Sequence, residues 1–337
     1  MASSHPPAPS LLHGWLLGLL GVVIFALTIP MTRLAGGSVE APQLPPAFVA
    51  FGRAAVAGVL SMGWLLVRRA AWPRGEQWRR LAVTAAGVVL GFPLFMGLAV
   101  QRVDAVHASV VSGLLPLATA AMGALLLRQR ASAAFWACAV VGTGLVLAFA
   151  AWKGGARLQL ADGLLALAVL SAAIGYVQGA RLASGGPGAS MPSEEVICWV
   201  LVMSMPITVP VAGWLWPEAS AHGPAIRPQA WLAFGYLAVF SMWLGFFAWY
   251  RGLALGGMLQ VSQVQLVQPF LSMWFAVPLL GESLDALTVA FSLAVMATVF
   301  VSRRIAAAGA SSASSASSAS SARATAPIPS QPSRPLP

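Results

Sequence analysis

Residues 267–288 read VQPFLSMWFAVPLLGESLDALT, and residues 114–135 read LLPLATAAMGALLLRQRASAAF; the two keep register at a constant offset of 153. Pro116 meets Pro269, Leu126 and Leu127 meet Leu279 and Leu280, and upstream Ser109 meets Ser262. Further back, GLAV at Gly97 faces GLAL at Gly252, with two more residues in the first copy's turn. Prolines and a leucine pair that recur in register mark an internal duplication. Its meaning depends on how many membrane crossings each copy holds.

The composition says that crossings are what to count. Of 337 residues, 58% are hydrophobic and 8% charged, whereas soluble chains are about 45–50% apolar and about 25% charged. A hydrocarbon core about 30 Å thick takes about 20 mainly apolar residues per helix. Ten such runs stand at 13–34, 46–67, 81–100, 105–127, 133–151, 162–182, 195–217, 229–250, 258–280 and 284–302. No run alternates polar and apolar residues with period two, so helices and not a barrel must satisfy the backbone. The expected fold is an all-α integral membrane protein of ten transmembrane helices.

The offset pairs run 4 with run 9 and run 5 with run 10, which gives five crossings per copy. An odd number sets the two copies in opposite orientations. Such an inverted repeat has a pseudo-two-fold axis in the membrane plane and a site near the midplane, the layout of secondary transporters. The expected organisation is a disordered cytoplasmic N-terminus over 1–12, a first repeat over 13–151, a second over 162–302, and a disordered cytoplasmic Ser/Ala/Pro-rich tail over 303–337.

These residues carry a family resemblance. Ten spans in a five-plus-five repeat, with a proline-centred helix running into LLGESLD at Leu279 to Asp285, resemble the EamA-domain branch of the drug/metabolite transporter superfamily. The likeness covers roughly Trp15 to Val301. In that family each repeat characteristically ends its fourth helix in an L-L-G-E-x-L turn; the second copy has it, and the first has Arg128 and Gln129 where Gly and Glu would stand. The resemblance implies a secondary carrier of small metabolites, often an exporter of amino acids or related solutes, in the cytoplasmic membrane.

Charge gives the orientation. With the N-terminus in the cytoplasm, the inner segments carry Arg68, Arg69, Arg74, Arg79, Arg80, Arg128, Arg130, Arg181, Arg251, Arg303 and Arg304, and the outer ones Arg33, Arg102, Lys153, Arg157 and Arg227. Eleven against five places both termini inside. The net charge of +10 is thus a membrane-topology signal and not a nucleic-acid footprint. Cys138 and Cys198 each fall inside a run, which argues for buried thiols and against a disulfide framework or a metal site. No HExxH, GxSxG or Walker loop occurs, so no enzymatic activity and no cofactor are expected. The expected partners are the bilayer and a small-molecule substrate, with no nucleic acid, and the chain is a monomer or a homodimer.

Polar groups inside the runs mark the site. Four glutamines stand between Gln260 and Gln268; at 100° per residue Gln265, Gln268 and Ser272 share a face, and Gln260 and Gln263 form a second strip. An amide in hydrocarbon costs several kcal/mol unless it meets protein or water. These side chains either bond neighbouring helices or line a cavity. Ser112 is the repeat mate of Gln265, and Tyr176, Gln178 and Trp243 stand on runs 6 and 8 as further wall candidates. Arg53 is the charge deepest in a run, and no Asp or Glu lies comparably deep. Such a residue binds a substrate anion or bonds carbonyls of the kinked first helix. The missing deep carboxylate disfavours cationic drugs. His107 reads as a solvated histidine at a helix end, or else as a titrating group that couples export to protons, and Trp249 and Tyr250 read most simply as interfacial belt, with a place in the cavity wall as the alternative. Pro30, Pro116 and Pro269 are the hinge candidates, since each removes a backbone donor inside a span. The rival to a carrier is a membrane scaffold that uses the same bundle to hold a partner. Alternating exposure of Gln268 separates the two.

Overall fold

The structure, a computed structural model, describes residues 11–126, 132–155, 157–183, 191–221, 226–256 and 262–324. Its regular elements are helices, and the extended feature among them is an isolated antiparallel bridge between Gly37 and Pro42. Nine helices among the described residues are long and apolar enough to cross a membrane: Leu12–Gly36, Pro46–Arg68, Glu76–Val100, Ala105–Leu126, Ala133–Lys153, Leu160–Ala183, Ser193–Ala221, Pro228–Gly252 and Ala286–Ile305. A shorter apolar helix, Val264–Leu280, takes the ninth position in chain order. These are spans 1 to 10 below, and they bear out the ten expected runs. Trp214 and Leu232 stay 80% and 74% exposed on the bundle's outside, as side chains facing lipid do.

Turn chemistry sets several boundaries. Pro46 opens span 2 at a position whose N–H has no helical acceptor, and Ser132 caps span 5 by accepting from Phe135 N at 3.2 Å. Gly281 ends span 9 with φ +70°, a conformation in which a Cβ is costly. Gly37, after span 1, has φ +69°, and a Cβ there would lie 2.3 Å from Ala41 O.

Five spans are irregular in mid-membrane. Span 1 breaks between Ala26 and Thr28, span 4 between Ser112 and Leu115, and span 9 changes from 3-10 helix over Ser262–Val267 to α-helix at Gln268. Pro30, Pro116 and Pro269 stand just beyond these three points, and each withholds the N–H that would bond the carbonyl four residues back. Spans 3 and 8 carry π-helical segments over Ala85–Gly91 and Leu237–Leu244. The upstream offset of Gly97 from Gly252 carries Val88 onto Trp243, so the two π segments are mates.

The most extensive packing joins span 1 to 8, 3 to 6, 2 to 7, 1 to 9, 4 to 6 and 5 to 10. Exchanging the halves turns each of these pairs into itself or into another of the set. The 1–8 and 3–6 pairs cross closely because glycine allows it: a Cβ on Gly252 would lie 2.5 Å from Gly18 N, and one on Gly87 would lie 2.3 Å from Ser171 O.

The C-terminal segment differs from expectation. The last helix does not stop at the membrane window but runs Ala286–Ala324 as one element, so the first part of the expected disordered tail is helical. Alanine is the best helix former, serine is tolerated, and no proline interrupts the helix before Pro327. Residues 1–10 and 325–337, also expected to be disordered, lie outside the described residues.

Candidate substrate cavity

The irregular points of spans 1, 3, 4, 8 and 9 converge. Thr28, Val88, Ser112, Pro116, Ser241, Gln265, Gln268 and Pro269 all line one central cavity of about 70 Å³, which Arg53 from span 2 and Tyr176 from span 6 complete. That space holds about five water molecules. Both halves build it: the first supplies Thr28, Arg53 and Ser112, the second Tyr176, Ser241, Gln265 and Gln268. The rest of the wall is apolar, with Phe25, Ile29, Phe92, Phe246 and Met296.

Arg53 is 3% exposed and borders the cavity, its Nε has no hydrogen-bond partner, and no carboxylate pairs with it among the described residues. Tyr176 is its electrostatic neighbour. Gln265 and Gln268 are half-buried.

The cavity continues toward the end of the bundle that carries Arg68, Arg79 and Arg80, the basic end. A vestibule of about 300 Å³ shares Leu115, Pro116, Tyr176, Phe246 and Gln265 with it, and adds Ala183, Ser193, Trp249, Tyr250 and Arg303. Among the described residues no Asp or Glu lines either space.

The opposite, acidic end is shut. A surface recess of about 550 Å³ there, lined by Arg33, Asp104, Arg227 and Glu282, shares no lining residue with the cavity or the vestibule. Between them lie hydrogen bonds that join the halves. Thr28 Oγ1 and Ser241 Oγ are 2.8 Å apart. Ser109 Oγ donates to Ala105 O at 2.7 Å and shares a 2.9 Å bond with Ser272 Oγ. His107 Nε2 lies 2.8 Å from Asp162 Oδ1. Glu282 accepts from Ala105 N and Val106 N, each at 2.8 Å, and so caps span 4. Burial raises its carboxyl above the ordinary value and outweighs those two bonds, which lower it. Asp285 accepts from Lys153 Nζ at 2.7 Å and from Thr288 N at 2.7 Å; these bonds hold its carboxyl down at about 2.

Of the residues singled out from sequence, Arg53, Ser112, Tyr176, Gln265 and Gln268 meet at the cavity, with the hinge candidates Pro116 and Pro269 beside them. Pro30 stands one turn beyond the break in span 1. Ser272, Gln178 and Trp243 do not line the cavity. Ser272 is 1% exposed and bonded to Ser109, because it stands one turn past Gln268 on the same α-helix, toward the acidic end, and sharing a face does not set depth. Trp243 packs against Phe247 in the apolar cluster around Trp199. Gln178 is half-buried on span 6, away from both spaces. Gln260 and the side chain of Gln263 lie outside the described residues, as do Arg128 and Gln129.

Other expectations are corrected. His107 is 6% exposed and not solvated, since Asp162, 55 residues away in sequence, meets it across the halves. Trp249 and Tyr250 line the vestibule and form no outer belt. Sequence reasoning missed Thr28 and Ser241. The signal for Ser241 was a hydroxyl inside an apolar run.

Comparison with known proteins agrees with this architecture. The EamA-like transporter family matches the chain twice, over residues 12–153 and 159–304. The chain is 39% identical over 294 residues to the uncharacterized transporter YdeK of Bacillus subtilis (strain 168), a similarity spanning 87% of this chain and 98% of that protein. It also resembles a protein of known crystal structure with a TM-score of 0.53 at 18% identity, over 86% of this chain and 98% of the other, a likeness of fold.

Proposed function

Because the chain belongs to the EamA-like transporter family, we propose that it is a gradient-driven carrier which exports a small, non-cationic metabolite, such as an amino acid or related solute, by alternating access of its two halves. One observation carries the reading: Arg53, Tyr176, Gln265 and Gln268 from opposite halves share a cavity that opens to one end of the bundle and is shut at the other. A site at the seam of two inverted repeats is where rocking exposes a solute first to one side and then to the other. By the positive-inside rule the open, basic end faces the cytoplasm, both termini lie there, and the membrane is the cytoplasmic membrane. The solute then loads from inside, which supports outward transport. The broken helices provide the bending points, because carbonyls left without N–H partners let the two parts of each span tilt.

The test is sided labelling. In a variant with Cys138 and Cys198 replaced by Ala and Gln268 by Cys, reconstituted in vesicles, a membrane-impermeant maleimide should reach position 268 from the basic side at rest. During turnover it should also reach it from the acidic side. Labelling confined to one side across a broad panel of solutes would favour a scaffold that binds a partner. A solute at 100 times its dissociation constant should stabilise the protein by about 2.7 kcal/mol, and Gln268→Ala should remove that gain.

A further inference from the structure

Arg53 stands seven residues into span 2, about 10 Å from Pro46 at the helical rise. A guanidinium 3% exposed at that depth needs a reason. The bland one is structural, with the head bonded to backbone carbonyls or to an acid. Among the described residues neither is found: Nε is unpartnered and no carboxylate pairs with the side chain. A buried cation without a partner is costly, and the cost is offset if an anion visits.

Granting that the central cavity holds the transported solute, we propose that Arg53 receives a carboxylate on that solute, which is a small organic acid or amino acid with an otherwise uncharged body. The planar guanidinium offers paired donors that match the two oxygens of a carboxylate. Tyr176 borders the same space and can donate a further bond. Phosphate fits less well, since it carries about −1.5 to −2 charge at neutral pH and, among the described residues, Arg53 is the single basic one on the cavity wall. The next basic residue, Arg303, lines the vestibule. Phe25, Phe92, Phe246 and Met296 suit an apolar body, and Gln265 and Gln268 offer amides that bind either polarity. A solute whose only charge is positive finds no acidic group in the cavity or the vestibule.

Isosteric pairs test this on the purified full-length chain. The thermal unfolding midpoint is followed against butyrate and butyramide, benzoate and benzamide, phenylalanine and its amide, with benzylamine and inorganic phosphate alongside. At least one acid should raise the midpoint with an apparent affinity tenfold or more above that of its amide. Arg53→Gln should erase the preference, and Arg53→Lys should keep it with weaker binding. If Arg53→Gln does not fold, the pairs on the unaltered chain still decide. Equal shifts for acid and amide, no shift with any acid, or a larger shift with benzylamine or phosphate overturns the assignment. Those outcomes leave the carrier reading standing wherever position 268 is labelled from both sides. Conversely, acid-selective shifts with one-sided labelling keep carboxylate binding and sink the carrier.

Discussion

The two ends of the bundle hold together by different means. At the acidic end and just beneath it, a set of ties joins one half to the other: His107 to Asp162, Glu282 to the N-terminus of span 4, Lys153 to Asp285, Ser109 to Ser272, and Gln43 Oε1 to Arg227 N at 2.8 Å. At the basic end the ion pairs are Arg79 and Arg80 with Glu76, exposed and within a single helix. Aromatic faces do the packing there, with Trp72 centred 5.1 Å from Trp199 and Trp78 6.2 Å from it. Directional bonds across a seam form a closure that must break as a unit, whereas aromatic walls slide with little penalty. The cavity accordingly opens where fewer such bonds cross the seam; one that does, from Thr84 Oγ1 to Gly175 O, is 3.3 Å long.

Breaking the acidic closure is therefore expected to have effects that the basic end does not. The largest belongs to His107→Leu. His107 and Asp162 side chains are 7% and 9% exposed; without the imidazole, Asp162 retains the bond from Gln159 N. A hydrogen bond to a buried charged group contributes about 1.5–3 kcal/mol. A loss of about 3 kcal/mol in unfolding free energy is expected, together with faster labelling of Ser272→Cys from the acidic side. Unchanged labelling would mean that the pair only supports the fold. Glu282→Ala comes next: it strips the acceptor from Ala105 N and Val106 N, and cap losses run about 0.5–2 kcal/mol, so about 2 kcal/mol is expected for two part-buried donors. Ser241→Ala leaves Thr28 Oγ1 without its cross-half partner and should cost about 1 kcal/mol. Arg79→Ala at the basic end should stay within about 0.5 kcal/mol and leave sided labelling as it was.

The contrast between the ends explains what the sequence disclosed. The spans followed from hydropathy, and the pairing of Pro116 with Pro269 followed from a constant offset, because both are properties of order along one chain. Arg53, Gln265 and Gln268 stood out because polar groups in apolar runs are costly wherever they point. The pairing of His107 with Asp162 was hidden, since it depends on spans 4 and 6 meeting across the repeat axis. Ser272 was misplaced because a shared helix face does not fix depth, and Ser272 stands one turn past Gln268, level with Ser109. The π segments of spans 3 and 8 were hidden too, because what marks them is the winding of the backbone and not a residue pattern.

Glu282 and Asp285, three residues apart at the acidic closure, should respond to pH in opposite ways. Asp285 is held at about 2, below its ordinary 3.8, first by the bond from Lys153 and then by that from Thr288 N. A lowered carboxyl stabilises the fold above its ordinary value and loses that contribution as pH falls through about 2. The Lys153 and Asp285 side chains are 30% and 40% exposed, so solvent keeps the pair within about 0.2–1 kcal/mol. Glu282 is raised above its ordinary 4.5 by burial. Its contribution is complete below that value and is lost as pH rises through the raised one. Unfolding stability should therefore climb modestly on acidifying from pH 7 toward 4 and turn down only at the acid extreme. Glu282→Gln should flatten the upper slope and leave the lower one, and Lys153→Ala should do the reverse. An upper slope that survives Glu282→Gln would place its titrating group elsewhere, and the acidic closure would then consist of hydrogen bonds whose strength does not follow the proton.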